Sequence, residues 1–185
     1  MFLKLLLISA VIYLCSSDEN RPLEAKTVTE ARARIFRAVS RGKPHPRLGL
    51  VRFRQRGNRV KIIGIVFGLK TGSHGFHIHV NGSLGNGCKD AGAHYNPLNQ
   101  DHGAPNDTAR HVGDLGNIHT TEHGITWIKM DDSKISLNGA HSIVGRTVVI
   151  HANPDDLGRG DSPESRKTGN AGTRVACGII EPIYR

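Results

Sequence analysis

The chain has 185 residues and carries 25 Lys and Arg against 16 Asp and Glu, a formal net charge of +9. That length suits one domain with a real core better than two. No apolar run approaches the roughly 20 residues of a spanning helix, which makes a membrane anchor the weaker reading. The basic excess is uneven: Ala31 to Lys70 holds Arg32, Arg34, Arg37, Arg52, Arg54 and Arg56 and no Asp or Glu, a field that draws in anions.

In chain order, Lys4 precedes an apolar run from Leu5 to Cys15 that ends in Ser16, Ser17 and Asp18. This is the layout of a secretory signal peptide over residues 1–17, so a secreted, extracellular protein is expected. Its removal takes one lysine and no acid, and the balance falls from +9 to +8. Cys15 goes with it, leaving Cys88 and Cys177, an even pair that reads as one disulfide in an oxidising compartment. Residues 18–30 are polar and read as a flexible lead-in to a domain over 31–185.

Val51 to Arg56 alternates with period two, Gly57-Asn58 makes a turn, and Arg59 to Ile62 resumes the alternation, which is a hairpin signature. Further strand-like runs lie at Ile62–Phe67, Gly75–Val80, Gly124–Lys129, Lys134–Leu137, Thr147–His151 and Arg174–Ile180. Short strands with little helical periodicity predict an all-β sandwich or barrel. Asn81 to Ile118 and Ala152 to Thr173 are rich in Gly, Pro, Asn and Asp and read as two long loops, a length that in a compact domain signals function.

His77 and His79 flank Ile78 in a strand, so their imidazoles share a face. The first long loop adds His94, His102, His111 and Asp114, and His151 ends a later strand. Six histidines and a carboxylate exceed one tetrahedral site, and two neighbouring metals are the natural inference. A set of three histidines with Asp114 reads as closed zinc, while a site made wholly of imidazoles reads as copper.

Four motifs then carry a likeness: Gly75-Phe76-His77-Ile78-His79, Gly92-Ala93-His94-Tyr95-Asn96-Pro97, Arg110-His111-Val112-Gly113-Asp114-Leu115-Gly116-Asn117, and Gly169 to Gly178. From about Ala31 to Ile180 the chain closely resembles copper-zinc superoxide dismutases. The resemblance implies a Greek-key β-sandwich or barrel of about eight antiparallel strands and dismutation of superoxide to dioxygen and hydrogen peroxide. It implies one copper on His77, His79, His94 and His151, and one zinc on His94, His102, His111 and Asp114, with His94 bridging. It further implies that Asp155 orients a histidine of each metal, that Arg174 stands beside the copper channel as a catalytic residue, and that Cys88 pairs with Cys177. His45, His74, His119, His123 and His141 fall outside the ligand set and are expected to be structural or surface residues.

The chain also departs from that family. Asn81-Gly82-Ser83 and Asn106-Asp107-Thr108 are acceptor patterns for N-glycosylation. Asn81 stands where the family usually has an aromatic residue of the dimer interface, which puts the usual homodimer in doubt, as do Glu181 and Pro182. The basic stretch 32–61 is expected to bind acidic polysaccharide. Neither nucleic acid nor a membrane span in the mature chain is expected.

Overall fold

The computed structural model describes residues 27–39 and 46–184, so the secretory segment 1–17, most of the lead-in and His45 lie outside the described residues. Eight strands, β1 (Glu30–Arg37), β2 (Arg47–Arg56), β3 (Arg59–Phe67), β4 (Gly72–His79), β5 (Asp114–Thr120), β6 (Ile125–Asp132), β7 (Thr147–His151) and β8 (Arg174–Ile183), close into an antiparallel barrel. The order around the ring is β1-β2-β3-β6-β5-β4-β7-β8, so β3–β6, β4–β7 and β8–β1 are non-sequential neighbours, as a Greek key requires. Among the described residues helix is limited to short turns at Lys89–Ala91 and Ser165–Thr168. Among the described residues no helix is long and apolar enough to cross a membrane.

Period two builds the core. Ala31, Ala33 and Ile35 of β1, Val51 and Phe53 of β2, and Val60, Ile62 and Val66 of β3 point inward and are buried, while their sequence neighbours face solvent. The β2–β3 hairpin pairs Arg56 with Arg59 around Gly57, whose φ of 56° is one that glycine adopts without strain. The runs Arg59–Ile62 and Ile62–Phe67 are one strand, β3.

Strands β4 and β7 break the alternation. Phe76 and Ile78 fill the barrel, yet His77 and His79 on the opposite face are also buried, because the loops 80–113 and 152–173 fold over that wall. The disulfide Cys88–Cys177 is formed and ties the first loop to β8.

Three readings need correction. The first long loop ends earlier than Ile118, because Asp114–Thr120 is β5, whose Asp, Gly and Asn look like loop residues. Asn117 lies on this strand because its side chain serves the second loop, accepting from Asp155 N at 2.7 Å and donating to Asp155 O at 2.8 Å. Lys134–Leu137 is not a ladder strand; Asp132 Oδ1 accepts the amides of Lys134 and Ile135, Ser136 makes one isolated bridge to Ser142, and Ile135 and Leu137 alternate inward as a plug. Finally, β1 was not foreseen as a strand: its outward side chains Arg32 and Arg34 mask a pattern whose inward members are mostly small.

Candidate metal centre

All six ligand-type histidines, Asp114 and Asp155 come together on the covered outer face of β4 and β7. His77 and His79 come from β4, His151 from the end of β7 and Asp114 from the start of β5; the first loop brings His94, His102 and His111. That loop is stitched down like an added strand: Tyr95 N donates to Ile78 O at 2.8 Å and Ile78 N to Gly113 O at 2.9 Å. The second loop holds the first through His102 N donating to Arg166 O at 2.7 Å. The β4–β5 register shifts between Gly75 and His77, a bulge beside the first ligand.

Hydrogen bonds on the outer ring nitrogens decide which nitrogen points inward. His79 Nδ1 donates to Gly92 O at 2.8 Å and His151 Nδ1 to Gly172 O at 3.1 Å, which leaves the two Nε2 lone pairs facing each other at 3.3 Å. His77 Nε2 donates to Asp155 Oδ2 at 2.8 Å, leaving Nδ1 buried without a partner, and His94 Nε2 is likewise buried and unpartnered. Four lone pairs therefore meet within 4.8 Å of one another with no donor among them. A cation satisfies all four at once.

The adjoining nest is more acidic. Asp114 Oδ1 lies 3.0 Å from His94 Nδ1, 3.0 Å from His102 Nδ1 and 3.1 Å from His111 Nδ1. Its other oxygen accepts the amides of His111 at 2.9 Å and Gly103 at 3.1 Å. His102 Nε2 donates to Asp155 Oδ1 at 2.8 Å, so His77 and His102 hang from the two oxygens of one carboxylate. Asp155 is thus a shared acceptor rather than a member of a third metal group.

The electrostatics separate the two nests. Burial, the His94 charge and the His151 charge push His77 down to about 3, and burial is the main reason His151 falls to about 4 and His79 well below its usual value. These imidazoles are neutral at pH 7, as metal ligation needs. Burial opposes charge on His102 as well, yet the carboxylates of Asp114 and Asp155 raise it to about 9. Without a metal a proton serves as the cation there. Burial would raise Asp114 and Asp155, but the histidines gathered on them hold both well below the usual carboxylate range.

One nest is open. His79, His94 and His151 line a pocket together with Glu164, Lys167, Thr168, Asn170, Gly172 and Arg174. Arg174, paired with His151 in the β7–β8 register, donates to Cys88 O at 2.6 Å, to Lys89 O at 3.0 Å and to Gly92 O. The family model described as copper/zinc superoxide dismutase matches residues 48–180. The chain belongs to the copper/zinc superoxide dismutase family.

Superoxide dismutases of this family are also its relatives by direct comparison. The extracellular Cu-Zn superoxide dismutase of Haemonchus contortus is 57% identical over 156 residues, covering 84% of this chain and 85% of that protein. That of Caenorhabditis elegans is 53% identical over 159 residues, covering 86% of this chain and 72% of that protein. Among solved structures, a crystal structure analysis of the clock protein EA4 superposes with a TM-score of 0.77 at 45% identity, covering 85% of this chain and 97% of that one.

Several parts of this superoxide dismutase centre were not foreseen. The carbonyls of Gly92 and Gly172 set the tautomers of His79 and His151, and backbone acceptors leave no mark in side-chain patterns. Buried Arg110 pairs with Asp132 and donates to the carbonyls of Pro105 at 3.0 Å, His111 at 3.1 Å and Asp114 at 3.0 Å, bracing the loop that carries the zinc-type ligands. Its place directly before His111 was the only available signal. His74, expected to be structural, is buried with one ring nitrogen 2.7 Å from Lys70 O and the other 2.7 Å from His151 O. His119 and His123 are exposed and His141 is half-buried, all away from the centre.

Proposed function

We propose that this chain works outside the cell as a dismutase, converting two superoxide anions and two protons to dioxygen and hydrogen peroxide. Copper is assigned to His77 Nδ1 and to the Nε2 atoms of His79, His94 and His151. Zinc is assigned to the Nδ1 atoms of His94, His102 and His111 and to Asp114 Oδ1. The observation that carries this reading is the pair of nests that share His94, one all imidazole and open to the pocket, the other closed by a carboxylate. Relatives named extracellular support the location, together with the secretory pattern of residues 1–17 ahead of a domain over 31–185.

Bound copper supplies one-electron exchange with superoxide, and bound zinc supplies a fixed positive charge beside it. The chain's own residues do the rest. Arg174 holds its guanidinium at the pocket through three backbone carbonyls and so presents a positioned charge to a docking anion. Lys167 and Thr168 shape the entrance, and Lys167 adds a positive charge partly offset by Glu164 at 3.2 Å. His94 Nε2, which has no hydrogen-bond partner among the described residues, is the position where a proton can be held beside the product while Nδ1 stays committed to the other nest. Asp155 keeps His77 and His102 in register with each other.

Acidic polysaccharide is the proposed partner of the basic stretch 32–61. The free charge there is smaller than the composition implies, because Arg54 pairs with Glu30 at 2.7 Å and Arg34 with Glu181 at 2.7 Å. Retention on immobilised heparin beyond low salt tests it. Asn106, exposed in a turn, and Asn81, exposed with its amide donating to Asp90 O at 3.1 Å, are the proposed glycan positions. A polar, exposed Asn81 supports departure from the usual homodimer.

The deciding experiment is superoxide consumption by the purified mature chain, with metal analysis on the same sample and a His79→Ala control. Fast turnover with about one copper and one zinc per chain, lost in the control, is expected. Slow turnover at full metal loading would overturn the assignment in favour of copper storage.

A further inference from the structure

The outer wall of β2, β3 and β6, remote from the metal centre, is unusually apolar for a barrel side that faces water. The register places Leu50 opposite Ile65, Ile65 opposite Trp127, and Phe67 opposite Ile125, all with side chains on the outside. Trp127 is 69% exposed, Phe67 47% and Ile63 44%. Contiguous exposed apolar surface of this kind marks a contact site.

Cations rim this strip. Arg52 lies opposite Ile63 on one side, and Lys129 opposite Ile63 on the other; Arg56 and Lys61 continue the field toward the β2–β3 turn. Among the described residues these four side chains make no ion pair. The acids at the margin are Glu30, paired with Arg54 at 2.7 Å, Asp131, opposite Lys61, and Glu122, in the turn before Ile125.

We propose that this wall is a docking surface for an anionic lipid bilayer, on which the protein rests peripherally. Three observations select that occupant. Strands β2, β3 and β6 pair with one another along their length, so the shallow hollow lined by Leu50, Ile63, Ile65 and Trp127 offers no strand edge for a peptide to extend. A second copy would set Arg52, Lys61 and Lys129 against their own equivalents. The acidic polysaccharide proposed for the stretch 32–61 would compete for Arg52, Arg56 and Lys61, but it would leave Phe67, Ile65 and Ile63 in water. An anionic headgroup layer answers both halves, with phosphates on the Arg and Lys rim and Trp127 and Phe67 at the depth that interfacial aromatics favour.

The chain contains a single tryptophan, Trp127, so the surface carries its own reporter. Mature protein is mixed with vesicles of phosphatidylcholine alone or of phosphatidylcholine with phosphatidylserine, and both co-sedimentation and tryptophan emission are followed. Binding to the mixed vesicles with a blue shift of Trp127 emission, weakened by salt, is the expected result. Phe67→Ser with Ile65→Ser should weaken partitioning roughly tenfold with the reporter intact, and Arg52→Glu with Lys61→Glu should do at least as much. Retained dismutase activity confirms that the variants fold. No shift with anionic vesicles, equal binding by the variants, or a patch already covered by a second copy in sedimentation would each overturn the proposal. A heparin complex that shifts Trp127 emission, with no vesicle binding, would assign the wall to polysaccharide instead.

Discussion

Arg174 and His79 share one acceptor: the carbonyl of Gly92 takes a hydrogen bond from the guanidinium and another from His79 Nδ1. The proposed docking charge and a proposed copper ligand are thereby fixed to the same peptide. Arg174→Ala is expected to lower kcat/KM roughly tenfold and to flatten its dependence on ionic strength, because the positioned positive charge is gone. Arg174→Lys should recover part of the rate, since it keeps the charge but loses the forked donor. Stopped-flow decay of superoxide across a salt series checks this, and an unchanged salt slope in the alanine variant would contradict the docking role.

Asp155 supports both nests, so its loss should be felt in metal retention before it is felt in folding. With Asp155→Asn, one amide oxygen remains and the other position becomes a donor facing a donor, so either His77 or His102 loses its acceptor. A 10–100-fold fall in zinc affinity is expected, on the scale of other orienting carboxylates, measured by competition with a chelator of known strength.

In the metal-free protein the histidines pull stability in opposite directions with pH. His102 is raised to about 9, so its contribution is fully present below about pH 6.5 and is lost as pH rises through 9. His77 and His151 are lowered to about 3 and about 4, so stability falls as pH drops from about 6.5 through those values, because the unfolded chain takes up protons first. Thermal melts of the apoprotein should therefore peak near pH 6 to 7. Zinc loading at pH 7.5 should release about one proton from His102, which calorimetry in two buffers of different ionisation enthalpy measures.

Cys88 supplies a sulfur to the disulfide and its carbonyl to Arg174 at 2.6 Å. Replacing both cysteines with serine opens a loop of 89-residue separation, worth on the order of 4 kcal/mol in the chain-entropy model, so a clear drop in Tm is expected. Activity of the fully metal-loaded variant should fall as well, because Lys89 and Cys88 no longer hold the guanidinium. A variant that melts lower but turns over normally would separate the bond's stability role from its placement of Arg174.

The fold was legible where side-chain alternation is strong. The β2–β3 hairpin, with its Val51, Phe53, Val60 and Ile62, reads directly from period two. It was obscured where a strand serves the site: β5 spends Asp114 on the ligand cluster and Asn117 on the second loop, and these polar residues erase the pattern of a strand. For the centre itself, the ligand-type side chains were legible from type and spacing, because imidazoles must be spelled out in the sequence. The partners that aim them were not, since Gly92 O and Gly172 O are backbone atoms whose positions exist only after folding. Arg110 was marked only by its place before His111, which does not tell a buried arginine from a surface one.

Closure of β8 onto β1 has a consequence for the lifetime of the molecule. Among the described residues every strand has a neighbour on both sides, but the seams are unequal: β5 and β6 pair only at Thr120 and Thr126, whereas β8 and β1 pair over most of their length. Self-templated assembly would find its opening at that thin seam, and the Cys88–Cys177 link fastens β8 to the first loop on the opposite part of the ring. A secreted protein that cannot call on intracellular chaperones therefore depends on the packing of that one seam to keep its adhesive backbone covered.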